Sequence, residues 1–468
     1  MRRYELRNAI VESACNGPGF PYSRRLEAHR SCVNALAFSS GDGRFLASGG
    51  DDRRICLWDF NEGDVKTPSF TLKGPQDSIR DLACHPLYDE VLISVSEDGT
   101  VRRYDGRQAM GEMLQTCSEV SGVQYHPTLE HFFVTSDDHG SVVLRDVRMA
   151  FGSQTRGNNQ GIVQRYNTKL SKRSASRLSS PEASSVTFDR DGSRLAVTFL
   201  HYSPTIYALS DPDPIAVLNG KNLPDGTPNP PSERTYSNSC TMKHGSFGGP
   251  GIDINDMYAG GSDDFRCYVW KVPSAPQLIN QRQNISADDW EASGDVNTIA
   301  FSESRSGPKV LPVEISTPLC RLTGIFAGIS RNLFIYLSIL VGHNSIVNTA
   351  LFHPHYLHVV TAGVEKKIIL HSSTQSSPCT QNLQLSPSTV RKLDDQESER
   401  DRAIFFTSLD SGGLQPTDIT EDIDERQTLS IFDHIIREEG EADVFQLRPW
   451  ESSDSSDEES DDSNISWH

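Results

Sequence analysis

Short apolar runs alternate along this chain with clusters of turn residues, and the arrangement repeats. Residues 29–59 hold three such runs, at 33–38, 45–48 and 54–58. Gly41, Asp42 and Gly43 punctuate the gap before the second run, and Asp51 and Asp52 the gap before the third. Runs rich in β-branched and aromatic residues, bounded in this way, predict strands joined by tight turns. The same layout returns at 78–105, 122–146, 257–271 and 342–371, and more loosely at 184–209. These six units predict an all-β chain of small antiparallel sheets. One such sheet cannot bury its own apolar face, so neighbouring units must stack.

Polar residues recur inside the repeat. His29 precedes the first strand, Ser48 ends the second, Asp52 sits in the turn and Trp58 lies on the third. Asp98 and Asp264 hold the same turn position, and His343 with Glu365 repeats the histidine–acid pairing. The pattern resembles the WD-repeat family, in which the carboxylate accepts hydrogen bonds from the histidine and from turn amides, satisfying polar groups where water is excluded. That resemblance implies a β-propeller of four-stranded blades, closed by seven blades, with the seventh in degenerate form within 275–320. It makes His29, Ser48, Asp52, Trp58, Asp98, Asp264 and His343 a structural network within blades. His85, His126 and His353 also fall at repeat positions and are read as structural.

The propeller is expected over 22–375, with loop insertions at 151–180, 219–247 and 275–341. The first insertion is polar and basic, with Lys169, Lys172, Arg173 and Arg177. It reads as a solvated loop, with a basic patch or nuclear-import signal as the alternative. The second carries the Pro, Gly, Asn and Ser of an exposed loop. Beyond 376 a Ser/Gln/Pro-rich linker leads to 428–439, where Leu429, Phe432, Ile435 and Ile436 share one helical face. A short amphipathic helix is expected there, docked on the propeller, with docking on a partner as the alternative. The end of the chain is an acidic tract too polar to bury, in which Ser453 and Ser456 suit acidophilic kinases.

An apolar run at 325–341 is shorter than the roughly 20 residues that span a bilayer, and Arg331 and Asn332 interrupt it. No membrane partner is expected. Without 325–342, residues 319–324 would run straight into His343 and a normal repeat opening. The stretch therefore reads either as a retained intron or gene-model error, or as a native insertion between blades.

Composition narrows the function. An apolar fraction of 36% points to extensive loop content. A formal charge of -19 argues against direct binding of nucleic acid. The nine cysteines form no metal-ligand or redox spacing. Cys32, Cys56, Cys84 and Cys267 lie in strand-like runs, as reduced thiols do. With no apolar leader over residues 1–10, the expected compartment is the nucleus or cytoplasm. No phosphate loop, nucleophile elbow or metal motif is present, so neither a cofactor nor an enzyme is expected.

One motif points outward. Two consecutive repeats end in Tyr104-Asp105-Gly106-Arg107 and Arg145-Asp146-Val147-Arg148. Residues i and i+2 on a strand share one side, so each aspartate can hold its arginine. An arginine held in this way is suited to an interface. The pair resembles the WDxR or DxR box of the cullin-four associated factors, WD-repeat substrate receptors of ubiquitin ligases. By resemblance, Arg107 and Arg148 contact the adaptor (damaged-DNA-binding protein one), supported by Asp105 and Asp146. The receptor would then present a further protein, its substrate, for ubiquitination. The family box has Trp where this chain has Tyr104 and Arg145, and the departure is larger at Arg145. The alternative is a WD-repeat scaffold for another complex, in RNA processing or chromatin.

Overall fold

A computed structural model describes residues 20–39, 42–61, 65, 67–89, 91–98, 100–105, 112–115, 120–150, 161–223, 225–231, 233–248, 257–293, 296–318, 342–373, 375, 378–380, 382–387, 390–410, 425–439 and 444–445. Arg107, most of the 325–342 stretch and the acidic tract lie outside them.

Six antiparallel sheets form the blades. Blade 1 is Val33–Phe38, Phe45–Gly50, Arg54–Asp59 and Phe70–Lys73, in that order from the centre outward. Blade 2 is Ile79–Cys84, Val91–Ser96, Thr100–Asp105 and Glu112–Gln115. Blade 3 is Val120–Tyr125, Phe132–Asp137, Val142–Asp146 and Ile162–Arg165. Blade 4 is Ala183–Phe188, Arg194–Phe199, Thr205–Ala208 and Pro214–Leu218, with Val313–Ile315 added in parallel at its edge. Blade 5 has three strands, Gly245–Gly248, Met257–Gly261 and Cys267–Lys271. Blade 6 is Val347–Phe352, His358–Gly363 and Lys367–Ser372, completed by Tyr22–Glu27 from the start of the chain.

The innermost strands pack in sequence around a central channel and return to the first. Polar links follow the same circuit. The Asn34 amide donates to the Ile79 carbonyl at 3.3 Å, and the Val123 amide to Asp81 at 3.0 Å. Ser121 donates to the Ala183 carbonyl and Ser184 to that of Lys243. His244 donates from its amide to the Asn348 carbonyl at 2.7 Å, and the Asn348 side chain reaches Asn34 at 3.3 Å. The circle closes with six blades among the described residues, not seven.

The region expected to hold a seventh blade has another role. Ala275–Gln281 and Ala287–Ala292 are helices. Three-residue strands at Gln283–Ile285, Ile299–Phe301 and Lys309–Leu311 join Leu170–Lys172 in a separate sheet. That sheet packs on the propeller through Leu170, Phe301, Val310 and Val217, the last being from the outermost antiparallel strand of blade 4. These strands pair only with one another and with Leu170–Lys172, and Asn348 and Asn34 already occupy the closing contact.

Other expectations are corrected too. Within 151–180, Ile162–Arg165 is the outer strand of blade 3 and Leu170–Lys172 belongs to the separate sheet. Within 219–247, Tyr236, Asn238 and Lys243 are buried, and residues 245–247 start the inner strand of blade 5. That strand reads Gly-Ser-Phe-Gly, whose composition mimics a loop. In the expected linker, Gln384–Leu385 pairs with Tyr22 and Ser23, and Ser398–Asp410 is a helix. The helix sought at 428–439 runs over Glu425–Glu439. It docks with Leu429, Phe432 and Ile436 among Cys32, Phe265, Ile346 and Val364. Those contacts lie before the inner strands of blades 1 and 6 and in the second turns of blades 5 and 6. The helix therefore covers the face opposite to the third-strand ends. No helix among the described residues is long and apolar enough to cross a membrane.

Candidate functional site

The blade network is complete in blade 1. His29 Nδ1 lies 3.1 Å from each Asp52 oxygen, and its Nε2 lies 2.8 Å from Ser48 Oγ. Trp58 Nε1 donates to the same hydroxyl at 2.9 Å, and Ser48 donates onward to the Cys56 carbonyl at 3.4 Å. Both acceptor positions of Ser48 are then filled, which requires His29 to donate from Nε2. Burial opposes a charge on His29, yet the Asp52 hydrogen bond and charge outweigh it and lift the imidazole to about 9. Burial would likewise raise Asp52, but His29, the Arg30 amide and Arg54 hold it at about 2. The blade is locked by an imidazolium–carboxylate pair.

Blade 6 repeats the hydrogen-bonded arrangement with other side chains. His343 Nδ1 meets Glu365 at 3.1 Å and its Nε2 meets Thr361 Oγ1 at 2.8 Å. His371 stands where blade 1 has Trp58, 3.0 Å from the same hydroxyl. Sequence reading found His343 and Glu365 but missed Thr361 and His371; the available signal was a spacing that matches blade 1 from the hydroxyl onward and is one residue shorter after the histidine. In blade 2, Asp98 accepts from the Gln76 amide at 2.9 Å, and Pro75 stands where blade 1 has His29. In blade 5, Asp264 accepts from Arg266 at 2.9 Å and from the Tyr268 hydroxyl at 2.7 Å.

A second class of histidine ties blades together. His126 Nε2 donates to the Gly192 carbonyl at 3.2 Å, and His353 Nε2 to the Gly43 carbonyl at 3.1 Å. Their Nδ1 atoms accept backbone amides two and three residues on. Burial depresses both, His353 to about 3 with help from His358 and His355. The two glycines have φ of +76° and +69°, and a side chain on either would collide with the histidine ring. A histidine followed by proline at 85, 126 and 353 is the sequence mark of this position.

The outward motif is ordered in blade 3. Asp146 ends the third strand opposite Phe132, and Arg148 follows in the short helix Val147–Ala150. Arg148 Nε and Nη2 reach the two Asp146 oxygens at 3.1 and 2.7 Å, and its amide donates to the same carboxylate at 2.9 Å. Asp146 is buried while the Arg148 side chain is 64% exposed. The Arg148 hydrogen bond holds Asp146 below the usual carboxylate range. The result is a planar, forked donor fixed at the rim and facing solvent. Arg145, in the tryptophan place, donates Nε to Thr135 Oγ1 at 3.1 Å, as Trp58 donates to Ser48.

Blade 2 ends its third strand with Asp105 opposite Val91, at the matching position. Arg107 and the side chain of Asp105 lie outside the described residues. Blade 1 has Asp59 at this position, but it pairs with Arg44 at 2.6 Å from across the strand pair. Among the described residues, no three His, Cys, Asp or Glu side chains are grouped to hold a metal ion.

Residues 21–59 and 66–105 match the WD domain, G-beta repeat family. These are the segments that form the closing strand and blades 1 and 2. The fold is a WD-repeat propeller. Over 93% of its length the chain is 25% identical to DDB1- and CUL4-associated factor 5 of Mus musculus and 24% identical to that of Homo sapiens. It spans 42% of the length of each. It is also 30% identical to THO complex subunit 3 of Arabidopsis thaliana, over 27% of this chain and 40% of that protein. These relatives are named for what they associate with or belong to. The WD-repeat propeller is a non-catalytic module.

Proposed function

We propose that this chain is a substrate receptor that binds the adaptor of a cullin-four ubiquitin ligase and presents a second protein for ubiquitination. The carrying observation is the Asp146–Arg148 fork, exposed on one rim and braced from behind by a buried carboxylate. It belongs to a chain whose likeness to two DDB1- and CUL4-associated factors runs across 93% of its length. Arg107 holds the equivalent sequence position one blade earlier and is the second contact. Relatives of other kinds, such as the THO complex subunit, match about a quarter of the chain, little more than shared repeats.

Calorimetry with purified DDB1 and the full chain tests this reading. Arg148→Ala should weaken binding roughly thirtyfold, the usual scale for an interface arginine. Lys at the same position should rescue little, because it lacks the fork. Wild-type affinity in the Arg107→Ala/Arg148→Ala double variant would overturn the assignment, and the chain would then be read as a scaffold for another complex.

A further inference from the structure

The four cations at 169–177, read from sequence as a solvated loop, are held on an ordered element. Leu170–Lys172 is an edge strand of the separate sheet. Leu170 and Ser179 exchange both backbone hydrogen bonds, at 2.8 and 2.9 Å, closing the run on itself. Lys169 and Arg177 are exposed, while Lys172 and Arg173 are half-buried. Arg173 also donates to Ser293 at 3.4 Å.

The C-terminal region returns to this element. The Val444 carbonyl accepts from Ser179 Oγ at 2.7 Å. Lys172 Nζ stands 5.7 Å from the centre of the Phe445 ring. Both residues pack against the core of the same sheet, around Leu170, Phe301 and Val310. The chain is thus anchored beside the cations six residues before Glu451, a reach of at most about 20 Å. Residues 451–462 then supply seven acidic side chains: Glu451, Asp454, Asp457, Glu458, Glu459, Asp461 and Asp462.

We propose that the acidic tract 451–462 docks within its own chain along the basic edge formed by Lys169, Lys172, Arg173 and Arg177. Single exposed ion pairs contribute little and are screened by salt. Here several charges meet, and the Val444–Phe445 anchor keeps the two segments at high effective concentration. Phosphate on Ser453 or Ser456 adds about 1.5 to 2 negative charges and strengthens the contact. The docked tract masks the edge from other acidic partners. The proposal does not depend on the adaptor reading.

Zero-length carbodiimide coupling of the full chain, read by peptide mass spectrometry, tests it. An equal mixture of isotopically heavy and light chains separates internal links from links between copies. Lys169 and Lys172 should couple to carboxylates of 451–462 within one chain. The yield should fall severalfold at about 0.5 M salt, where screening is strong. It should fall equally in Arg173→Gln/Arg177→Gln, which removes charge but no reactive amine. Asp457→Asn/Glu458→Gln/Glu459→Gln, which removes charge from the tract, should speed hydrogen exchange across 169–179. Heavy–light links, links to other lysines such as Lys221 or Lys271, no links at all, or full yield in the arginine variant would each overturn it.

Discussion

Blades 1 and 3 place an aspartate at the end of the same strand and a donor one residue before it, yet use them differently. In blade 1 the donor is Trp58, fully buried, and it completes a network that reaches His29 and Asp52. In blade 3 the donor is Arg145, half-buried, bonded to Thr135, and His139 stands where blade 1 has Asp52. Among the described residues, blade 3 shows no histidine–carboxylate lock of that kind. Its aspartate instead braces an exposed arginine. One blade secures the fold with buried polar groups, while the other turns a braced arginine toward solvent. A repeat can give up its internal network where neighbouring blades hold it in place.

The sharpest break in that comparison is Asp52→Ala. It leaves a buried imidazolium and several donors unpaired, so it should cost about 3 kcal/mol of folding stability, measured by urea unfolding. A loss inside about 0.5 kcal/mol, typical of a surface change, would contradict the lock. Asp146→Ala should do the reverse. DDB1 binding should weaken severalfold by calorimetry as Arg148 loses its brace, with the melting temperature unchanged. Arg145→Trp sharpens the contrast by placing an indole N–H toward Thr135. It should stabilise the chain by up to about 1 kcal/mol through apolar burial and leave DDB1 affinity intact.

The smallest effect is one of pH. Folding raises His29 from 6.5 to about 9, so its contribution is complete below pH 6.5 and is lost as pH rises through 9. Folding lowers Asp52 from 3.8 to about 2, so its contribution is complete above pH 3.8 and is lost as pH falls through 2. The lock is therefore at full strength from pH 3.8 to 6.5. The stability gap between wild type and His29→Gln should narrow between about pH 6 and about pH 10. A constant gap would mean that the imidazole is neutral throughout.

The blade architecture was legible because strand runs and turn residues repeat, and because His29, Ser48, Asp52 and Trp58 keep their order. The count of blades was not. Ring closure rests on contacts such as Asn348 with Asn34, between residues that nothing local marks as neighbours. Short strands at 283–285, 299–301 and 309–311 gave too little periodicity to be placed, and Gly245–Gly248 lacks the side chains by which strands are read. At the rim, the Asp146–Arg148 pairing was expected from alternation along a strand, but the strand ends at Asp146, and Arg148 reaches back to the carboxylate from the short helix Val147–Ala150. The bond from Arg145 to Thr135 was not, because it needs the pairing of strands from two sides of a hairpin.

Closure by Tyr22–Glu27 also governs how the molecule comes together in time. Arg24 donates to the Cys379 carbonyl, 355 positions away along the chain. The entropic cost of so large a loop is modest, since each doubling of length adds only about 0.6 kcal/mol. The delay is the heavier consequence. During synthesis the first strand must wait, without its partner, until Lys367–Ser372 has emerged and folded. Through that interval blades 1 to 5 form an open arc with exposed apolar flanks, the kind of surface that chaperones engage. The last strand of blade 6 is then a free edge able to accept the corresponding strand of another copy, and high local concentration at that moment favours exchange of first strands between chains.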